Sequence, residues 1–131
     1  MKLPEPVRRL MEPGVVVRIS VIDRDGYPHT VPIWFERDGD EVVFFSSRSS
    51  RKIGYVQANY KGSITIGGDP LGSEGYLLKG NFSIEEDPGS RWLREITFRY
   101  EPPDLAEQHV REWSGPDIVV MRFKTQKVIK V

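Results

Sequence analysis

The chain has 131 residues, a formal net charge of zero and no cysteine. This length fits one domain around one hydrophobic core, so we expect residues 1–131 to form a single domain. The neutral balance argues against a nucleic-acid partner, and the lack of cysteine excludes disulfides and thiolate metal sites and favours the cytoplasm. No stretch approaches the roughly 18 apolar residues of a membrane span, so we predict no membrane partner. With no cysteine and only two histidines, we also predict no metal.

The first third of the chain predicts a short helix followed by three strands. The helix covers Pro6–Met11 and ends at the Pro-Gly pair that follows. The apolar run VVVRISVI, the alternating run HTVPIWFE and the run VVFFSS come next, separated by the turn sequences DRDG and RDGD. Residues 15–47 are therefore expected to form an antiparallel meander.

The rest of the chain predicts short helices between further strands. One helix starts after Ser50 as its N-cap and stops at Gly62. The strands GSITIGG and YLLKGNFSIEE flank the loop DPLGSEG, and DIVVMRFK and KVIKV are the last strands. Residues 88–113 have a helical pattern that is broken at EPPD, where Asp104 can cap a second helix. The prediction is a mainly β fold, a six- to seven-stranded antiparallel barrel with short flanking helices.

Residues 42–68 contain four cations and no acidic residue, within a neutral protein. Arg51 and Lys52 fall in the first turn of the predicted helix, where the helix dipole disfavours cations. Free backbone N–H groups, serine hydroxyls and two cations are what a phosphate group needs. An ordinary solvated turn is the alternative on residue types alone. The complete set of cations is Arg48, Arg51, Lys52 and Lys61.

The phosphate could belong to RNA, to a phosphopeptide or to a small cofactor. Nucleic-acid sites usually spread their cations along a stripe and place aromatic side chains beside them. Here one cluster stands alone, which favours a single small phosphate-bearing ligand.

The strand before this segment is interrupted by Pro32, which is tolerated mainly at a sheet edge or a bulge. Strand alternation puts Trp34 on the same face as Pro32, opposite Val31 and Ile33. A flat aromatic ligand could lie against the Trp34 face, with its ring edge held by backbone amides. The alternative is that Trp34 packs under a C-terminal helix.

Together, PIWFERDGDEVVFF, FFSSRSSRK and the following helix resemble the flavin-binding split-barrel family that includes pyridoxamine 5'-phosphate oxidase. The resemblance covers residues 14–86, with a weaker match at FRYEP. It implies a homodimer with the cofactor at the subunit interface. It also implies phosphate and ribityl contacts from the serines and cations, and an isoalloxazine ring bordered by residues 31–34. The cofactor-binding residues expected from this match are Val31, Pro32, Ile33, Trp34, Ser46, Ser47, Ser50, Arg51 and Lys52.

The chain also departs from the vitamin B6 enzymes of that family. Thr30 stands where those enzymes carry an arginine, and no glutamine lies near Gly75 or Tyr76. The C-terminal tryptophan and arginine elements that bind the vitamin phosphate have no clear counterpart. The expectation is an oxidoreductase of the branch that uses FMN or the deazaflavin coenzyme F-420 on a small-molecule substrate.

Two other functions stay open at this point. The same barrel could hold a flavin, a haem or another tetrapyrrole without turnover, or the basic cluster could bind RNA or a phosphopeptide. No protein nucleophile is evident, so no catalytic residue is predicted. The two histidines, His29 and His109, are expected on the surface.

Overall fold

The computed structural model describes residues 1–69 and 73–131, so part of the predicted loop DPLGSEG lies outside the described residues. A 3₁₀ turn, Pro88–Ser90, precedes the third helix. The helices and strands are α1 (Glu5–Met11), β1 (Val17–Ile22), β2 (Pro28–Ile33), β3 (Glu36–Asp38), β4 (Glu41–Ser47), α2 (Arg51–Ala58), β5 (Lys61–Gly67), β6 (Gly75–Glu86), α3 (Arg91–Tyr100), α4 (Pro103–Trp113) and β7 (Ile118–Lys130).

The seven strands form one antiparallel sheet in the order β2-β1-β5-β6-β7-β4-β3. Alternate residues of its strands, such as Ile19, Ile64 and Phe123, meet in a single core that also receives Val7 of α1 and Ile53 of α2. One sheet therefore wraps around its own core, and the predicted mainly β antiparallel fold is confirmed. No helix in the described parts of the chain is long and apolar enough to cross a membrane.

A second, smaller cluster lies on the outer face of β4 and β7. Val43 and Val120 point outward there and pack against Trp92 and Ile96 of α3. The strand neighbours of these valines face the barrel interior. Because both faces of these strands are buried, VVFF and VVM read as continuous apolar runs instead of alternating ones.

The predicted meander is wrong in its middle strand. β2 pairs with β1, whereas β3 pairs with β4, and the two short strands lie at opposite edges of the sheet. Trp34 and Phe35 carry the chain from one edge to the other, and we call these two residues the crossover. The Phe35 side chain is fully buried, and its N–H donates to Tyr100 Oη at 3.1 Å. An unbroken apolar pattern does not reveal where a strand changes its partner.

Two helix boundaries also differ from the prediction. α2 ends at Ala58, with Asn59 as its C-cap, and Gly62 lies within β5, where a Cβ would meet the Phe82 ring and come within 2.5 Å of a backbone oxygen. Gly62 therefore allows a close approach and does not stop the helix. Asp104 lies inside the first turn of α4, behind an N-cap at Pro102.

The two predicted C-terminal strands are one strand, β7. Its pairing with β6 shifts register between Lys79 and Gly80. Such a bulge bends the pair without ending it, so a single strand accommodates the polar KTQK stretch.

Candidate functional site

A cleft of about 510 Å³ opens where the edge strand β2, the end of β4 and the N-terminus of α2 meet. This volume lies within the range of about 300–1,000 Å³ that is usual for small-molecule sites. The structure brings seven of the nine predicted site residues together here, all except Ser46 and Ser47. The lining residues are His29, Val31, Pro32, Ile33, Trp34, Phe45, Ser50, Arg51 and Lys52.

Ser50 occupies the N-cap position of α2, but its side chain does not cap the helix. Its Oγ lies 2.9 Å from Ser46 Oγ and accepts a hydrogen bond from Lys52 Nζ at 3.3 Å. The N–H groups of the first helical turn therefore receive no acceptor from this side chain. A helix N-terminus in that state favours an anion.

Arg51 and Lys52 are the cations of the cleft. Within residues 1–69 and 73–131, no carboxylate forms a salt bridge with either of them. Arg51 is exposed and Lys52 is half-buried, and this burial lowers the pKa of Lys52. The cleft thus carries positive charge that an anionic ligand would stabilise.

The other two cations of the segment lie elsewhere. Arg48 donates from Nη2 to Glu86 at 2.6 Å and to the Pro116 carbonyl oxygen at 2.8 Å. Lys61 lines a separate groove on the outer face of the sheet, beside Lys79. Of the four cations that cluster in the sequence, two therefore lie in the cleft, Arg51 and Lys52.

The two remaining predicted serines face different directions. Ser46 is only 5% exposed and lies behind Ser50, to which it is hydrogen-bonded. Ser47 points to the opposite side of β4, where its Oγ donates to Asp117 Oδ2 at 2.8 Å. Adjacent residues of a strand face opposite sides, so a run of serines cannot all reach one ligand.

The cleft has an aromatic part as well. Trp34 lines it and also stacks on Tyr100 of α3, with ring centroids 4.9 Å apart and planes 4° apart. The sequence left two alternatives for Trp34, which were packing against a C-terminal helix and lining a ligand site. Trp34 packs against such a helix and also lines the cleft.

Sequence reasoning missed Phe45 and His29 as cleft residues. Phe45 follows the inward-facing Phe44, so strand alternation turns it toward the outer face and the cleft. His29 shares the face of Val31 on β2, and its ring meets Tyr55 of α2 edge-on at 5.3 Å. Strand parity could have found His29, because Val31 on the same face was already a predicted site residue, whereas the non-alternating run VVFFSS gave no such signal for Phe45.

Comparison with known proteins gives a consistent family assignment. The sequence profile described as pyridoxamine 5'-phosphate oxidase matches residues 3–131. No curated protein sequence matches this chain significantly.

Several solved structures share the fold. An F420 reductase has a TM-score of 0.78 at 20% identity, over 97% of this chain and 98% of its own. General stress protein 26 from Bacillus anthracis has a TM-score of 0.74 at 18% identity, over 100% and 95%. An FAD-binding protein from Mesorhizobium loti has a TM-score of 0.67 at 20% identity, over 96% and 91%.

The family profile spans nearly the whole chain, and the structural matches cover the barrel together with its helices. The family resemblance seen in the sequence is thereby confirmed. The chain belongs to the pyridoxamine 5'-phosphate oxidase family and has its split-barrel fold.

Proposed function

We propose that this protein binds a flavin-type cofactor, FMN or the deazaflavin coenzyme F-420, and acts with it as an oxidoreductase on a small molecule. One observation carries the proposal: Arg51 and Lys52, which pair with no carboxylate in the described part of the chain, line the same cleft as the aromatic end of β2. The names of two structural relatives, an F420 reductase and an FAD-binding protein, agree with this chemistry.

The residues of the cleft fit such a cofactor in two parts. Ser50, Arg51 and Lys52 offer a hydroxyl, two cations and a helix N-terminus, the donor set that suits a phosphate. Residues 31–34 and Phe45 offer an apolar wall for a flat ring. Since β2 is an edge strand, part of its backbone faces away from β1 and can bind the polar edge of that ring.

A bound flavin-type ring would supply the hydride or electron transfer itself. The chain itself then has to bind and orient the cofactor and to exclude water from its ring. Arg51 and Lys52 hold the phosphate and fix the register of the ligand along β2. Trp34 and Phe45 keep water from the ring, and no side chain is assigned a covalent role.

We also propose that the protein is a homodimer in which the second copy closes the open side of the cleft. Both Pro32 and Arg51 line the cleft and remain exposed in the single chain. A ligand bound there would keep one side in water unless a partner covered it.

Titration of the purified protein with FMN and with the deazaflavin coenzyme tests the cofactor. We expect one cofactor per chain, a dissociation constant below about 100 μM, which is about −5.5 kcal/mol, and a visible absorbance band. Light scattering of the same sample should give about twice the chain mass of 15.1 kDa. If neither coenzyme binds below that limit, the cofactor proposal fails.

A second assay separates an oxidoreductase from a carrier. The bound cofactor is reduced, and its reoxidation by a panel of small acceptors is compared with that of free cofactor. An oxidoreductase accelerates at least one transfer, whereas a carrier accelerates none.

The pH dependence of binding should report on Lys52. Burial lowers the pKa of this lysine, so it loses its proton at a lower pH than an ordinary lysine, and the neutral amine no longer attracts phosphate. The phosphate monoester, with a second pKa of about 6, keeps its charge above neutral pH. FMN affinity, followed by fluorescence titration, should therefore fall as the pH rises, and the fall should begin at a lower pH than the titration of an ordinary lysine would give.

The matched control for this titration is Lys52→Arg, whose guanidinium stays protonated wherever a lysine titrates. Its FMN affinity should change little with pH. An identical pH profile in both proteins would remove Lys52 from the phosphate site.

A further inference from the structure

The crossover between β2 and β3 is held by the C-terminal end of α3. Tyr100 Oη accepts the Phe35 N–H at 3.1 Å and donates to the Val15 carbonyl oxygen at 2.6 Å. Burial raises the pKa of Tyr100, so its hydroxyl keeps the proton that it donates. One side chain thus joins two backbone segments that are distant from it in sequence.

The residue beside Tyr100 holds the same region from a second direction. Arg99 donates from Nη2 to the carbonyl oxygens of Met11 and Pro13 at 2.5 and 2.9 Å, and its Nη1 lies 3.3 Å from Glu36 Oε1. Its guanidinium also lies over the Phe35 ring, 4.9 Å from the centroid. Phe35, Glu36 and the backbone between α1 and β1 are therefore all fixed to the end of α3.

Tyr100 also determines the surroundings of the one crossover residue that lines the cleft. Its ring stacks on Trp34 at 4.9 Å and nearly parallel, while Tyr100 itself does not line the cleft. An aromatic pair of this geometry favours one side-chain orientation over the alternatives. Tyr100 can thus affect a ligand through Trp34 without lining the cleft itself.

We propose that Tyr100 is a positioning residue that holds Trp34 in place in the cleft, so that α3 determines where the ring of the cofactor lies. The part that concerns the cofactor rests on the proposed function, whereas the part that concerns Trp34 does not. The phosphate end of the cleft is built on α2, so a change at Tyr100 should affect the ring end alone.

The position of Trp34 is tested without any ligand. Protein labelled with 5-fluorotryptophan gives one ¹⁹F resonance for each of its three tryptophans, and Trp34→Phe assigns the resonance of Trp34. Tyr100→Leu should shift this resonance toward that of a solvated indole, whereas Tyr100→Phe, which keeps the stacked ring, should retain it. Phe98→Leu removes a ring from the same helix, one that contacts Arg94, and serves as the matched control.

The effect on a ligand is tested with two probes, FMN and ribose 5-phosphate, which has no flavin ring. Tyr100→Leu should weaken FMN binding about tenfold, in line with the loss of an ordered aromatic contact, and leave ribose 5-phosphate binding unchanged. Arg51→Ala should weaken both probes. If Tyr100→Leu does not fold, Tyr100→His, whose smaller ring covers less of the indole, replaces it.

The outcomes separate the two proposals. An unshifted Trp34 resonance in a folded Tyr100→Leu protein overturns the positioning role, whatever the ligand does. Equal weakening of both probes by Tyr100→Leu also overturns it, because the effect would then be general. If wild-type protein binds neither FMN nor F-420, the proposed cofactor fails, and the ¹⁹F shift still decides the role of Tyr100.

Discussion

Replacing Arg51 and Lys52 together with alanine is expected to weaken FMN binding by at least 100-fold. Both cations line the cleft at the start of α2, and neither is neutralised by a carboxylate within the described residues. A charge-assisted hydrogen bond contributes about 1.5–3 kcal/mol, so the pair contributes about 3 kcal/mol or more. Each 1.4 kcal/mol is a tenfold change in affinity, and titration with FMN measures it directly.

The same double variant should keep its fold. Arg51 is exposed, Lys52 is only half-buried, and cations in the first turn of a helix oppose the helix dipole. The thermal midpoint without ligand should therefore stay within a few degrees of wild type. A large fall in the midpoint would mean that the loss of binding reflects unfolding.

Lys61→Ala and Arg48→Ala are the matched controls, because both cations belong to the same acid-free segment but lie outside the cleft. We expect FMN affinity close to wild type in each. Wild-type affinity in the double variant would place the phosphate elsewhere, and loss of affinity in Lys61→Ala would point to the outer groove.

Gly80→Ala is expected to reduce stability by about 3 kcal/mol, which lowers the thermal midpoint by roughly 10 °C in a domain of this size. Gly80 lies at the register shift between β6 and β7. A Cβ there would overlap the backbone carbonyl oxygen of Lys124 and come within 2.8 Å of Phe123 Cζ. A backbone oxygen cannot move aside as a flexible side chain can, so the strand pair itself must shift.

Gly54→Ala is the matched control for this substitution. Gly54 lies inside α2 and a Cβ there would have no neighbour within 4 Å, so alanine should stabilise the helix by up to about 1 kcal/mol. Chemical denaturation measures both variants. A Gly80→Ala protein as stable as wild type would mean that the close approach at the bulge is absent in solution.

Local sequence patterns predicted much of the fold. α1, β1, β4 and the start of α2 lie where periodicity, turn sequences and capping residues indicated. Proline in the middle of β2 correctly indicated an edge strand. These features depend on neighbours within a few residues along the chain, so the sequence alone determines them.

Some of the residues that line the cleft could also be predicted from the sequence. The acid-free segment drew attention to Arg51 and Lys52, and the PIWF strand drew attention to residues 31–34, all of which line one cleft. The contribution of Phe45 followed only when the two faces of β4 were known, because the run VVFFSS is apolar without alternation.

Only the tertiary structure decided the rest. Three features depend on residues that lie tens of positions apart in the sequence. They are the crossover of Trp34 and Phe35 between the two sheet edges, the ion pair of Arg48 with Glu86, and the stacking of Tyr100 on Trp34. The sequence by itself determined where most of the strands lie and where cations cluster without acidic neighbours along the chain. Strand partners and ion pairs over such separations are chosen by the packing of the whole barrel, because no local pattern specifies which distant groups meet.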